Sequence, residues 1–130
     1  MKYRDDLKIE LRAILYDRNH HVLQWRIDPN QNLEYTTNNF FGATVTKKYD
    51  TDWHQPKIFK FNSLLDSPHY SENDYYKYIL FNEKEEFEQY KKHYKTYKEL
   101  FDHFAECEEW NKKRYKEAHN RYLEKISTWT

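Results

Sequence analysis

Between residues 7 and 15 the apolar side chains Leu7, Ile9, Leu11, Ala13 and Leu15 alternate with Lys8, Glu10, Arg12 and Ile14. That is the period of a strand with one core-facing side, and Asp17 and Asn19 then supply turn chemistry. Leu23, Trp25 and Ile27 alternate with Gln24 and Arg26 as far as Asp28-Pro29-Asn30. Proline there removes a ladder donor and fixes its own φ, so a second strand ends and a hairpin is predicted. A weaker strand covers residues 33–37, and Asn38-Asn39 turns the chain into a strand over 40–49, where Thr44, Val45 and Thr46 favour a pleat. Gly42 inside it marks a bulge or a close backbone approach. Ile58, Phe59 and Phe61 form a fifth strand. Residues 62–74, with Pro68, are predicted as a loop, and 75–81 as a last strand in preference to a short helix.

The period changes at Asn82. Asn82 followed by Glu85 has the spacing of a helix cap, and Glu83, Glu85 and Glu86 suit the positive end of a helix dipole. No Gly or Pro occurs from there to Thr130, and Phe87, Tyr90, Tyr94, Tyr97, Phe101 and Phe104 follow one another at steps of three and four. This predicts one apolar seam, continued through Cys107, Asn111, Tyr115, Ala118, Tyr122, Ile126 and Trp129, with a bend or a helical hairpin at 106–111. The fold class is α+β: an N-terminal antiparallel sheet of four to six strands, in meander order, then a long C-terminal helix or helical hairpin packed on it. The length of 130 residues predicts a single domain, mainly β over 1–81 and mainly α over 82–130.

Composition adds what carries the core. Aromatic residues are 19% of the chain, with Tyr 13, Phe 8 and Trp 4 against a single glycine, so rings supply most of the buriable surface. The mean hydropathy of −1.27 understates that surface, because tyrosine buries its ring while its hydroxyl stays wet. Basic and acidic residues both number 22, which leaves no field to hold a polyanion without specific contacts and excludes a histone-like role. No stretch is long and apolar enough to span a bilayer. Asp5 and Asp6, where an export signal needs an apolar run, and a single cysteine, Cys107, argue against an export signal and a disulfide framework, so a cytoplasmic address is expected. The preference for Phe, Tyr, Ile, Asn and Lys over Gly, Ala, Arg and Pro points to an A/T-rich gene, as phages, mobile elements and low-GC bacteria carry.

Candidate chemistry is sparse. Asp50, Asp52 and His54 alternate, and on an extended segment they would project to one side as part of a hard-metal shell; as loop residues beside Pro56 without a fourth ligand, they are weak candidates, and no metal or cofactor is expected. Glu99, His103 and Cys107 share one helix side, with Cys107 expected as a small core residue and His103 paired with Glu99. His20-His21, Asn32, Asn39 and His54 distantly suggest a metal-dependent nuclease of the His-Asn-His kind, but no short helix follows the hairpin to carry the last histidine. With one glycine there is no phosphate loop, and no nucleophile sits in a recognisable elbow. The helical charges alternate in blocks, predicting pairs such as Glu88–Lys92, Lys95–Glu99 and Glu108–Lys112.

These readings converge on binding rather than catalysis. The expected function is a non-enzymatic protein-interaction module, such as a small inhibitor, immunity factor or host-modulating phage protein, that uses an aromatic-rich surface. Tyr90, Tyr97, Trp110, Tyr115, Tyr122 and Trp129 are the candidate contacts. A homodimer through the C-terminal half, around Tyr115, Ala118, Tyr122 and Ile126, is expected as well. The alternative is nucleic-acid binding through Lys91, Lys92, Lys95 and Lys98, interleaved with Tyr90, Tyr94 and Tyr97 as stacking platforms.

Overall fold

The computed structural model describes residues 3–61 and 75–128, so the loop predicted over 62–74 and Trp129 lie outside the described residues. The first hairpin forms as its alternation predicts. β1 (Ile9–Leu15) pairs antiparallel with β2 (His21–Ile27) in the register Ile9↔Ile27 to Leu15↔His21. The turn is held by Asp17, whose Oδ1 accepts the Asn19 N–H at 2.9 Å while its carboxylate meets His20 Nδ1 at 2.7 Å.

Three further strands complete what the first 59 residues build. β3 (Glu34–Asn38) pairs with β4 (Thr44–Lys48), and β5 (Lys57–Phe59) precedes the undescribed segment. The last predicted strand appears as two short ones, β6 (Tyr76–Tyr78) and β7 (Leu80–Phe81). The α+β class and its order hold, but the strands fall into three antiparallel sheets, β1-β2-β7, β3-β4 and β5-β6, rather than one meander. The predicted last strand divides between Tyr78 and Leu80, with β6 pairing with β5 and β7 with β2.

Position in the sheet explains burial better than alternation does. β2 is the central strand, with β1 along its length on one side and β7 beside His21 and Val22 and His54 beside Trp25 on the other, and Val22, Leu23, Trp25 and Ile27 are all buried. β1 is the edge strand, and Leu15, assigned to the core by its phase, is 72% exposed because the sheet ends beside it. Gly42 turns the chain rather than bulging a strand. Residues 40–42 are not strand but a three-residue loop in which Gly42 adopts φ 81 and donates to Asn39 O at 3.0 Å. Nothing lies within 4 Å of the position its Cβ would take, so a close backbone approach is excluded and the left-handed φ is what calls for glycine.

The helical half departs further. α1 (Lys84–His93) begins after Glu83, which makes no side-chain cap bond, so Asn82 is not the cap. Phe81 is still in β7, and two residues are needed to leave the strand; Asn82 instead donates its N–H to Glu86 Oε2 at 3.4 Å. α1 ends at an extended Tyr94. Lys95 and Thr96 then run beside the residues before β1, with Ile9 N–H donating to Lys95 O at 3.0 Å and Tyr97 N–H to Leu7 O at 2.9 Å. A tertiary pairing therefore breaks the helix where no Gly or Pro does, and the single seam is cut between Tyr94 and Tyr97. α2 (Tyr97–Ser127) restarts on Thr96, whose Oγ1 accepts the Glu99 N–H at 3.3 Å and donates to Glu99 Oε1 at 3.1 Å, and it runs unbroken through 106–111. The helical hairpin expected there as one alternative is absent. Lys95 being extended, the Lys95–Glu99 helical pair cannot form.

Two compact units result. Unit 1 gathers the described residues of 1–55 and 80–100 around Leu7, Val22, Leu23, Trp25, Ile27, Tyr49, Phe81 and Leu100. Unit 2 gathers those of 56–79 and 101–130 around Ile58, Phe59, Tyr75, Ile79, Phe104 and Ala118. Among the described residues, no helix is long and apolar enough to cross a membrane.

Candidate functional site

Most of the aromatic contacts predicted from helical spacing turn inward. Tyr90 sits with its ring 5.4 Å from Phe81 and 4.7 Å from Tyr94, and Tyr97 lies 5.2 Å from Tyr3 and 5.9 Å from Trp25. In unit 2, Tyr115 packs on Phe59, Phe61 and Tyr75 at 5.1–6.0 Å, and Ala118 is buried. Two of the four residues expected to carry a homodimer are thus engaged within one chain. Tyr122 is half-buried and Leu123 is exposed. Trp110 alone among the described candidates presents a large open ring, with the Arg114 guanidinium 4.8 Å over it.

The basic alternative is reorganised too. Lys91 and Lys92 are on α1, Lys95 is in the extended link and Lys98 is on α2, so the four do not share a helix face. Their interleaved tyrosines are packing partners, which removes the stacking half of that design. Of the helical charge pairs, Glu108 accepts the Phe59 N–H at 3.2 Å and the Lys112 ammonium stands 5.8 Å from the Phe59 ring centre, so both serve the packing of β5 on α2.

The acid and histidine candidates act as local ties. Asp50 accepts the Tyr3 hydroxyl at 3.2 Å and the Asp52 N–H at 3.2 Å, and meets His54 Nε2 at 3.4 Å. His54 pairs both its backbone groups with Trp25, at 2.8 and 3.0 Å, under a ring contact of 4.9 Å. Burial, together with the Asp50 charge and hydrogen bond, pushes the Tyr3 phenol up to about 12. The other histidine and asparagine candidates are dispersed: His20 is in the first turn, His21 on β2, Asn39 in the second hairpin, and Asn32 accepts the Glu34 N–H. Glu99 accepts from the Thr96 hydroxyl, and His103 meets Cys107 Sγ at 3.7 Å. Among the described residues no group of three or more His, Cys, Asp or Glu is placed to hold a metal ion.

The most exposed aromatic pair was assigned to a strand by its pattern. Phe40 and Phe41 are 98% and 89% exposed at the tip of the β3–β4 ribbon, with their rings edge to face at 5.6 Å. Asn39 fixes that tip: its Oδ1 accepts the N–H groups of Phe41 and Ala43, each at 2.9 Å, and its own N–H donates to Ala43 O at 2.9 Å. The base of the ribbon is anchored in unit 1 by Tyr49, which is buried, stacks on Tyr35 at 4.4 Å and donates its N–H to Leu33 O. From Tyr35 to Thr46 there is no charged residue. The signal in the sequence was Asn39-Phe-Phe-Gly42, the spacing of a three-residue hairpin loop that carries its middle residues outward. Compared with known protein families, curated proteins and solved structures, the chain matches no family, no curated protein and no solved structure.

Proposed function

We propose that the chain is a non-enzymatic protein-binding module, of the kind represented by small inhibitors, immunity factors and host-modulating phage proteins, and that Phe40 and Phe41 are its anchor. The observation that carries this reading is the near-complete exposure of two adjacent phenylalanines on a loop whose backbone is already ordered. Exposing two such rings to water is unfavourable, so a partner that covers them gains their transfer free energy, while the preformed turn limits the ordering cost. Aromatic anchors of this sort dominate the energetics of interfaces. The uncharged stretch from Tyr35 to Thr46 fits an uncharged apolar pocket on a protein. It lacks the lysines and arginines that attach a loop to phosphates of a nucleic acid or an anionic lipid surface. A cytoplasmic partner, in the host cell if the gene is phage-borne, belongs to the same proposal.

The test is capture from the native host with the parent chain and with Phe40→Ser/Phe41→Ser, followed by mass spectrometry. A stoichiometric protein recovered by the parent and lost by the variant, at an unchanged melting temperature, is the expected result. Submicromolar, salt-sensitive binding to DNA or RNA that collapses in Lys91→Glu/Lys95→Glu would transfer the assignment to nucleic acid. Flotation with anionic vesicles that depends on Phe40 and Phe41 would transfer it to a lipid surface.

A further inference from the structure

Unit 2 contains a groove of about 630 Å³ between β5 and α2, walled by Ile58, Lys60, Phe61, His103, Cys107 and Trp110. Its volume falls within the ~300–1,000 Å³ of small-molecule sites. The walls are held in place: Asn111 accepts the Phe61 N–H at 3.4 Å and donates to Cys107 O at 2.7 Å, and Glu108 accepts the Phe59 N–H. Lys60 follows the buried Ile58 by two residues and so shares its side of the chain, which places an ammonium at a position otherwise apolar. The side chain is half-buried, and among the described residues no carboxylate closes an ion pair with it. An unpaired charge withdrawn from water is costly, and an incoming anion offsets that cost. Glu106 also borders the groove, but it is exposed, where water screens it. Burial holds the His103 imidazole below its ordinary range, raises the Cys107 thiol and lowers the Lys60 ammonium as well, so Lys60 is the basic group of the groove whose charged form an incoming anion stabilises.

We propose that this groove binds a flat apolar molecule bearing a carboxylate, with Lys60 as its counter-ion and the Trp110 and Phe61 rings as its walls. The carboxylate can belong to a free aromatic acid or to the C-terminus of a peptide ending in an aromatic residue. Indole-3-acetate, the neutral indole-3-acetamide and the cationic tryptamine keep the ring and vary the charge. Titrated by calorimetry and by amide NMR into the full chain, indole-3-acetate should bind at least tenfold tighter than either analogue, with shifts centred on Lys60, Phe61, Cys107 and Trp110. Lys60→Met should bring acid and amide within twofold of each other, and Lys60→Arg should retain the difference. Trp110→Ala, which removes an exposed ring and so leaves the fold intact, should weaken all binding about tenfold. Acetyl-Gly-Trp and its C-terminal amide form the peptide arm; a free-acid preference there larger than that of the indole pair assigns the site to chain termini, and a smaller one to small acids. Equal affinity for all three indoles, tightest binding of tryptamine, shifts outside the groove, or no binding of any probe at millimolar concentration would overturn the proposal.

Discussion

Leu100 and Phe101 are neighbours on α2 with opposite environments. Helical spacing selects Phe101 for the seam, yet Leu100 is 0% exposed and Phe101 is only half-buried. Leu100→Ala should therefore cost about 2–5 kcal/mol, and Phe101→Ala less, although it removes more carbon. Chemical denaturation of the two variants checks this; a larger loss from Phe101→Ala would restore the uninterrupted seam. At the other end of the same core, Tyr3 carries a pH prediction. Its phenol is raised from 10.0 to about 12, first by burial and then by Asp50. The neutral phenol is the form the fold favours, so this contribution is fully present below pH 10 and is lost as pH rises through 12. Ring-carbon NMR should follow the Tyr3 titration to the high value, and Asp50→Asn should bring it down. No change in that variant would mean that burial acts alone.

Whether an element starts where its sequence suggests depends on what its ends must satisfy. Thr96 and Glu99 have the reciprocal spacing of a capping box, and the structure makes one of its bonds, Glu99 N–H to Thr96 Oγ1, while the Glu99 carboxylate accepts from the Thr96 hydroxyl. The signal was present in the sequence but lay inside a longer run of helical periodicity, which hid it. Asn82 and Glu85 had a similar signal and no cap forms, because β7 holds the chain extended up to Phe81. Thr96→Ala should cost about 0.5–2 kcal/mol, Thr96→Ser little, and Asn82→Ala should be near neutral. Thermal melts of the three variants decide it: a stability loss at Asn82 equal to that at Thr96 would restore the sequence-based start of α1.

For the whole chain, the two cores predict two patterns of protection. Phe59 is 1% exposed in unit 2 and Leu23 is 0% exposed in unit 1. Phe59→Ala should accelerate amide exchange chiefly in β5, β6 and the part of α2 beyond Phe101, and Leu23→Ala chiefly in β1, β2 and β7. Uniform acceleration throughout by either variant would show one cooperative unit instead. The expected homodimer has its own measurement. With Tyr115 and Ala118 engaged internally, light scattering at micromolar concentration should show any dimer to depend on Tyr122 and Leu123, and Leu123→Lys should return it to the mass of 16.4 kDa. A dimer that survives Leu123→Lys would place the contact elsewhere.

What the sequence determined alone is whatever depends on neighbours in the chain. The β1–β2 hairpin follows from period two flanked by Asp17 and Asn19, and the run of helix after residue 82 follows from period three-and-four without Gly or Pro. The α+β order is their sum, whereas the aromatic composition overstated the rings: among the described residues the buried core holds six aromatic and eight aliphatic side chains, because most tyrosines keep part of the ring or the hydroxyl at the surface. What only the tertiary structure decided is which residues those elements meet. On β2, Val22 is flanked on both sides because β7 arrives from 58 residues away, as the pairing Val22↔Leu80 records, and Trp25 because the His54 backbone pairs with it. The helix breaks at Lys95 because the residues before β1 offer it backbone partners, a contact no local pattern encodes. The same cause separated the candidate sites: helical phase placed tyrosines on a surface that packing then covered, whereas Phe40 and Phe41, hydrophobic by type, stand in solvent because their turn leads away from the core of unit 1. Exposure is a property of what is absent around a residue, and that is settled by distant segments.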